Sequence, residues 1–176
     1  MSDIIRTCWI CFDDEESESN SLIIPCDCPK MVHEKCMARW QLHSAGKSEE
    51  NNCRFCDKTL SDWKEVIMPQ GLKEVIKDVI PSMVVSLAGQ SHLIPVAYGE
   101  NGRIEFIESI KQIFELPDDA DIDIEFDCCD PTTGDPLKLD GLTGYDAAVY
   151  CAAISAANKT YYYDEDDEDD EDDEDK

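Results

Sequence analysis

The hydrophobic and polar positions of this 176-residue chain change period several times along its length. Residues 12–21 are polar and acidic, and Leu22-Ile23-Ile24-Pro25 then reads as a short strand. A second polar loop covers residues 45–52. Over residues 70–80 the apolar positions Leu72, Val75, Ile76, Val79 and Ile80 fall at i, i+3, i+4, i+7 and i+8, an amphipathic helix stopped by Pro81. Strand signals follow. Val84 to Ala88 and Leu93 to Tyr98 predict two strands around a Gly89-Gln90-Ser91 turn, with Pro95 confining the second to an edge or a bulge. Ile107, Ile110, Ile113 and Phe114 predict a helix over 104–116, closed by Pro117. Ile122, Ile124, Phe126 and Cys128 alternate with acids, as in a half-buried strand, and Leu137-Lys138-Leu139 follows the turn at 130–135. Thr143, with Asp146 three residues on, starts a helix that runs to Ala157, and Tyr161-Tyr162-Tyr163 reads as a last strand.

Charge narrows the partners. There are 15 basic and 41 acidic residues, for a formal net charge of −26, and Asp164 to Asp175 form an unbroken acidic run. Without that run and Lys176, 14 basic residues still face 29 acidic ones. Such a surface repels phosphate backbones, so no nucleic-acid partner is expected and basic proteins are favoured. No apolar run approaches the ~20 residues that span a bilayer, so no membrane partner is expected either. The acidic run, residues 164–176, predicts a disordered tail because like charges repel and bury nothing.

The candidate chemistry lies between residues 8 and 56. Cys8 and Cys11, Cys26 and Cys28, His33 and Cys36, and Cys53 and Cys56 form four closely spaced pairs, eight nitrogen or sulfur donors in all. Zn2+ takes four such ligands in a tetrahedron, so the set suits two structural Zn2+ ions. A Cys-x2-Cys turn lets both sulfurs converge on one ion while nearby amides relieve the thiolate charge. A disulfide scaffold would need a secreted chain, yet residues 1–6 have no apolar signal core, and every thiol in the stretch has a matched neighbour. A reducing compartment follows, either cytoplasm or nucleus. His43 and His92 have no such neighbours and read as ordinary residues, as do the thiols Cys128, Cys129 and Cys151.

This ligand order, with the Cys-Trp-Ile-Cys opening and Trp40 four residues after Cys36, resembles the RING-CH (RING-variant) branch of the RING family over residues 8–56. The resemblance implies interleaved sites, with Cys8, Cys11, His33 and Cys36 on one ion and Cys26, Cys28, Cys53 and Cys56 on the other. It also implies a helix over 33–43, carrying Met37, Trp40 and Gln41 at helical spacing with Cys36. Members recruit a ubiquitin-conjugating enzyme loaded with ubiquitin and promote transfer to a protein substrate by positioning, without a nucleophile of their own. Their docking groove maps onto Ile10, Trp40 and Phe55, leaving Trp9 structural. Two departures stand out. Most RING-CH ligases have transmembrane helices, which this chain lacks, and many active RINGs place a basic residue after the last ligand, where Asp57 stands here beside Arg54 and Lys58. The alternative is a PHD-like finger that binds histone tails or other basic proteins without catalysis. Its histidine is also fifth among eight ligands, but it has a Trp two residues before the seventh, where this chain has Asn51.

Strand, strand, helix, strand, strand, helix, strand over residues 83–163 resembles the β-grasp fold of ubiquitin. In the related Phox/Bem-type domains, carboxylates at positions matching Asp127, Asp130 and Asp135 meet a partner's lysines, though a solvated turn is the better reading here. The expected architecture is therefore α+β. It comprises a cross-brace zinc finger over residues 1–60, a linker with an amphipathic helix over 61–82, a β-grasp domain over 83–163 that selects a substrate or adaptor, and the acidic tail over 164–176.

Overall fold

The computed structural model describes residues 6–14 and 17–166, with backbone alone for 161–166. Two compact units emerge, Met1–Met68 with Asp123–Ala147, and Pro69–Ile122 with Ala148–Lys176.

In the first unit, β1 (Leu22–Ile23) and β2 (Val32–His33) pair antiparallel, Leu22 opposite His33 and Ile23 opposite Val32. This short ribbon turns Leu22 and Val32 into a small core with Cys8, Met37, Cys53 and Leu60. It also suspends Cys26 and Cys28 in its connecting loop and delivers His33 to the start of α1 (Glu34–His43). His33 caps that helix only through its backbone, so the free amides find partners elsewhere. Glu34 N donates to Ser21 O, and Lys35 N donates to Asn20 Oδ1 at 3.1 Å. α2 (Trp63–Ile67) is capped by Asp62, which accepts from Lys64 N, and it packs on α1. Residues expected to lie in a linker are thus integral to the zinc-finger unit. Buried Gln41 fastens them, its amide donating to Glu50 O and Ser61 O, while the Trp63 indole donates to Glu50 Oε1.

The same unit contains β5 (Glu125–Cys129) and β6 (Pro136–Asp140), an antiparallel hairpin with Phe126 opposite Leu139. Phe126, Leu137 and Leu139 are buried, and Phe126 meets Tyr145 edge to face at 6.2 Å. The loop after α1 touches this segment closely. Gly46 has φ +79°, and a Cβ there would stand 2.6 Å from the Thr143 backbone.

The second unit starts with α3 (Leu72–Val75), much shorter than the helix predicted over 70–80. β3 (Ser82–Leu87) and β4 (Gln90–Pro95) form a hairpin on an Ala88-Gly89 turn, both residues at positive φ as a type I′ turn requires. α4 (Gly99–Ile113) packs on β4 and buries Phe106 and Ile110. α5 (Tyr145–Asp166) begins in the first unit and continues in this one.

The β-grasp expectation is corrected. Among the described residues the strands form three separate two-stranded sheets, not one mixed sheet, and the two larger hairpins belong to different units. Tyr161, Tyr162 and Tyr163 are helical rather than a strand, because the alanine-rich segment before them propagates α5. The expected tail begins inside α5, at residues 164–166, and the rest of it lies outside the described residues.

Candidate zinc centres and the apolar groove

Two helix-free turns built alike place half of the ligands. At Cys8–Cys11, Phe12 N donates to Cys8 O (2.9 Å) and Cys8 N to Asp13 O (2.8 Å). At Cys53–Cys56, Asp57 N donates to Cys53 O (2.8 Å) and Cys53 N to Lys58 O (2.8 Å). The residue after each turn is left-handed, Phe12 at φ 62° and Asp57 at φ 59°. Asp is among the residue types that visit that conformation more readily, and Phe12 shows that the turn does not require it.

The ribbon and α1 bring the remaining ligands to these turns. Cys8, Cys11, His33 and Cys36 converge, as do Cys26, Cys28, Cys53 and Cys56, with all donor atoms of each set within 4.8 Å of one another. His33 Nδ1 lies 3.3 Å from Cys11 Sγ and 3.9 Å from Cys36 Sγ. In the other set Cys53 Sγ lies 3.4 Å from Cys26 Sγ and 3.9 Å from Cys28 Sγ. Tetrahedral zinc–thiolate bonds of about 2.3 Å put ligand atoms roughly 3.8 Å apart, so both cages are the right size. Alternate pairs, not neighbouring ones, share each cage, which is the interleaving the resemblance implies.

The electrostatics of the donors fit a divalent cation. Burial pushes the Cys8 thiol up, but amides of Cys11, His33 and Ile10 outweigh it and hold the thiol down at about 7. Cys53 behaves alike: burial raises it, and the Phe55 and Cys56 amides bring it to about 7. Burial and the Cys11 sulfur push Cys36 up to about 12, and the Cys56 sulfur with burial does the same to Cys28. Sulfurs crowded together in this way oppose one another's ionisation, so several thiolates in one set need a positive charge among them. The residues present therefore fit two structural zinc ions. Among the described residues no third such cluster exists, and Cys128, Cys129 and Cys151 belong to none.

Between the cages lies an apolar groove, lined by Trp9, Met37, Trp40, Phe55 and Leu60, with Pro25, Lys30 and Arg54 at its sides. Trp9 stands edge-on to Trp40 (6.2 Å between ring centres) and to Phe55 (6.5 Å). Trp40 and Phe55, expected in a groove, are brought together there. Ile10 packs against the core beside Trp9 and is absent from the lining, whereas Trp9, read as structural, lines the groove. A period-two argument within Cys-Trp-Ile-Cys could not choose which side chain faces outward.

Asp130, expected to lie at the surface of the turn, is buried instead. It is 0% exposed and accepts from Thr132 N (2.9 Å), Thr132 Oγ1 (2.6 Å) and Arg39 Nε on α1 (2.8 Å), with His43 Nε2 at 3.4 Å. Asp135 lies 3.8 Å from the same arginine, and Asp127 lies 3.4 Å from Lys138. The Phox/Bem-like expectation and the solvated-turn reading both fail for Asp130, whose carboxylate ties the hairpin to the zinc-finger helix. Asx-turn chemistry, Asp130 with Thr132 two residues on, was the available signal.

A cross-braced pair of tetrahedral cages flanking an apolar groove is the architecture of RING-type zinc fingers. Consistently, the RING-variant domain model matches residues 8–56, so this stretch is a RING-variant domain. A relative from Swinepox virus (strain Kasza), the E3 ubiquitin-protein ligase LAP, is 39% identical over 54 residues. That alignment covers 29% of this chain and 30% of the viral protein, so the chain spans under a third of that relative's length. No solved structure matches. No helix among the described residues is long and apolar enough to cross a membrane.

Proposed function

We propose that the chain is a RING-type ubiquitin ligase that works by recruitment. The groove of Trp9, Trp40 and Phe55 carries this reading, because it offers an apolar, aromatic shelf to which both Cys-x2-Cys turns contribute, Trp9 from Cys8–Cys11 and Phe55 from Cys53–Cys56. A ubiquitin-conjugating enzyme seats there with ubiquitin as a thioester. A substrate lysine amine attacks the thioester carbonyl, the enzyme's thiolate leaves, and an isopeptide bond forms. The zinc domain contributes orientation, not a nucleophile, since its seven cysteines and His33 are all members of the two donor sets. The name of the viral relative supports the same activity. The remainder of the chain selects a substrate or adaptor, and its acidity favours basic ones. On this reading the reaction runs in a reducing compartment, cytoplasm or nucleus, where ligand thiols stay free of disulfides.

The test is discharge of ubiquitin from a panel of charged conjugating enzymes by the zinc-loaded full chain. Wild type accelerates discharge from at least one member; Trp40→Ala and Phe55→Ala abolish it while retaining both metal ions. Silence across the panel, or activity indifferent to both substitutions, overturns the proposal.

A further inference from the structure

The groove lining includes two cations that are not members of either donor set. Lys30 Nζ stands 4.8 Å from the Phe55 ring centre and 5.7 Å from that of Trp9. Arg54 Cζ stands 5.6 Å from Phe55. Both residues are exposed, and among the described residues neither has a carboxylate within ion-pair distance. Lys58 nearby is different, because Asp27 Oδ1 holds it at 2.5 Å. A chain with 41 acidic residues has thus left these two positive charges without a carboxylate partner in the lining of an aromatic groove, set against ring faces.

We propose that Lys30 and Arg54 set partner choice, selecting conjugating enzymes that present a carboxylate beside the apolar side chain entering the groove. This rests on the ligase reading. An apolar segment seated between Trp9, Trp40 and Phe55 strips water from both cations. A carboxylate opposite them restores the lost solvation, a neutral surface leaves them uncompensated, and a basic surface is repelled. The aromatic shelf would accept many apolar side chains, so discrimination comes from the two cations at its edge. The rest of the chain is strongly acidic and repels an acidic enzyme at long range, which makes the local pair of cations decisive for which enzymes dock.

The experiment uses the zinc-loaded full chain, wild type and the double variant Lys30→Glu/Arg54→Glu. Affinity for each uncharged conjugating enzyme of a panel is measured by titration calorimetry at two salt concentrations, alongside ubiquitin discharge. Enzymes with an acidic residue beside the groove-entering side chain bind wild type best, and the double variant weakens them by about fivefold to tenfold. The gap between wild type and variant narrows as salt rises. Changing that enzyme carboxylate to lysine restores binding to the double variant. If the glutamates cost a metal ion, Lys30→Gln/Arg54→Gln takes their place, with loss of the same preference expected. An unchanged ranking, or no rescue by the charge swap, overturns the proposal while discharge by wild type leaves the ligase reading intact. A wild-type chain that binds no member of the panel overturns both.

Discussion

Removing the Asp130 carboxylate should loosen the zinc-finger unit from a distance of 91 residues in sequence. Burial alone would raise this acid, but the Thr132 hydroxyl and the Arg39 guanidinium outweigh it and bring its pKa from 3.8 down to about 2. At about 1.4 kcal/mol per pKa unit, the folded state favours the charged form by about 2 kcal/mol. Breaking a fully buried pair usually costs about 3–5 kcal/mol, but Arg39 is 39% exposed and can return its charge to water, which favours the lower figure. Because the folded pKa lies below the unfolded one, this stability is present above about pH 4 and lost as pH falls towards 2. The assay is denaturant unfolding at pH 7 with zinc present, for wild type, Asp130→Ala, Arg39→Ala and the double variant. Each single change should lower stability, with Asp130→Ala costing about 2 kcal/mol and the pair coupled by about 1 kcal/mol or more. Strict additivity would refute the claim that the two groups act together. Asp130→Asn separates charge from shape: it keeps Thr132 contacts and should fall between wild type and alanine.

Three further outcomes follow from the geometry. Native mass spectrometry should find two zinc ions, one lost in Cys11→Ser or Cys36→Ser and the other in Cys26→Ser or Cys56→Ser. Loss grouped by sequence neighbours instead would contradict the interleaving. Gly46→Ala adds a Cβ 2.6 Å from the Thr143 backbone at φ +79°, and thermal unfolding should show a cost of about 2 kcal/mol or more. Ala88→Asn suits the left-handed first position of the type I′ turn, where φ is 51°, and should stabilise the β3–β4 hairpin by about 0.5–1 kcal/mol, read by hydrogen exchange of its amides.

Ligand identity was legible in the chain because zinc binding is a local demand. Two donors a few residues apart and a tight turn suffice, and that pattern survives reading in one dimension. Strands and helices were legible where period was strong, as in the alternation through Phe126 and in the helix read from Ile107, Ile110, Ile113 and Phe114, although that helix buries Phe106 and Ile110 and exposes Ile113. Pairing across the turn at Gly89 was legible too, but whether one hairpin joins another in a sheet was not, since alternation tells a residue which face it occupies and says nothing about the next strand over. Hence the strands of an expected β-grasp sheet proved to be separate hairpins.

The eight donors, the acidic balance and the aromatic side chains of the groove were determined by sequence alone. Tertiary structure decided the rest: alternate pairing in the cages, Trp9 rather than Ile10 on the groove wall, and the burial of one aspartate among 41 acidic residues. An acid looks the same in sequence whether water or an arginine faces it. Only folding brings Arg39 to Asp130, and that encounter, not composition, sets the charge, burial and consequence of the group.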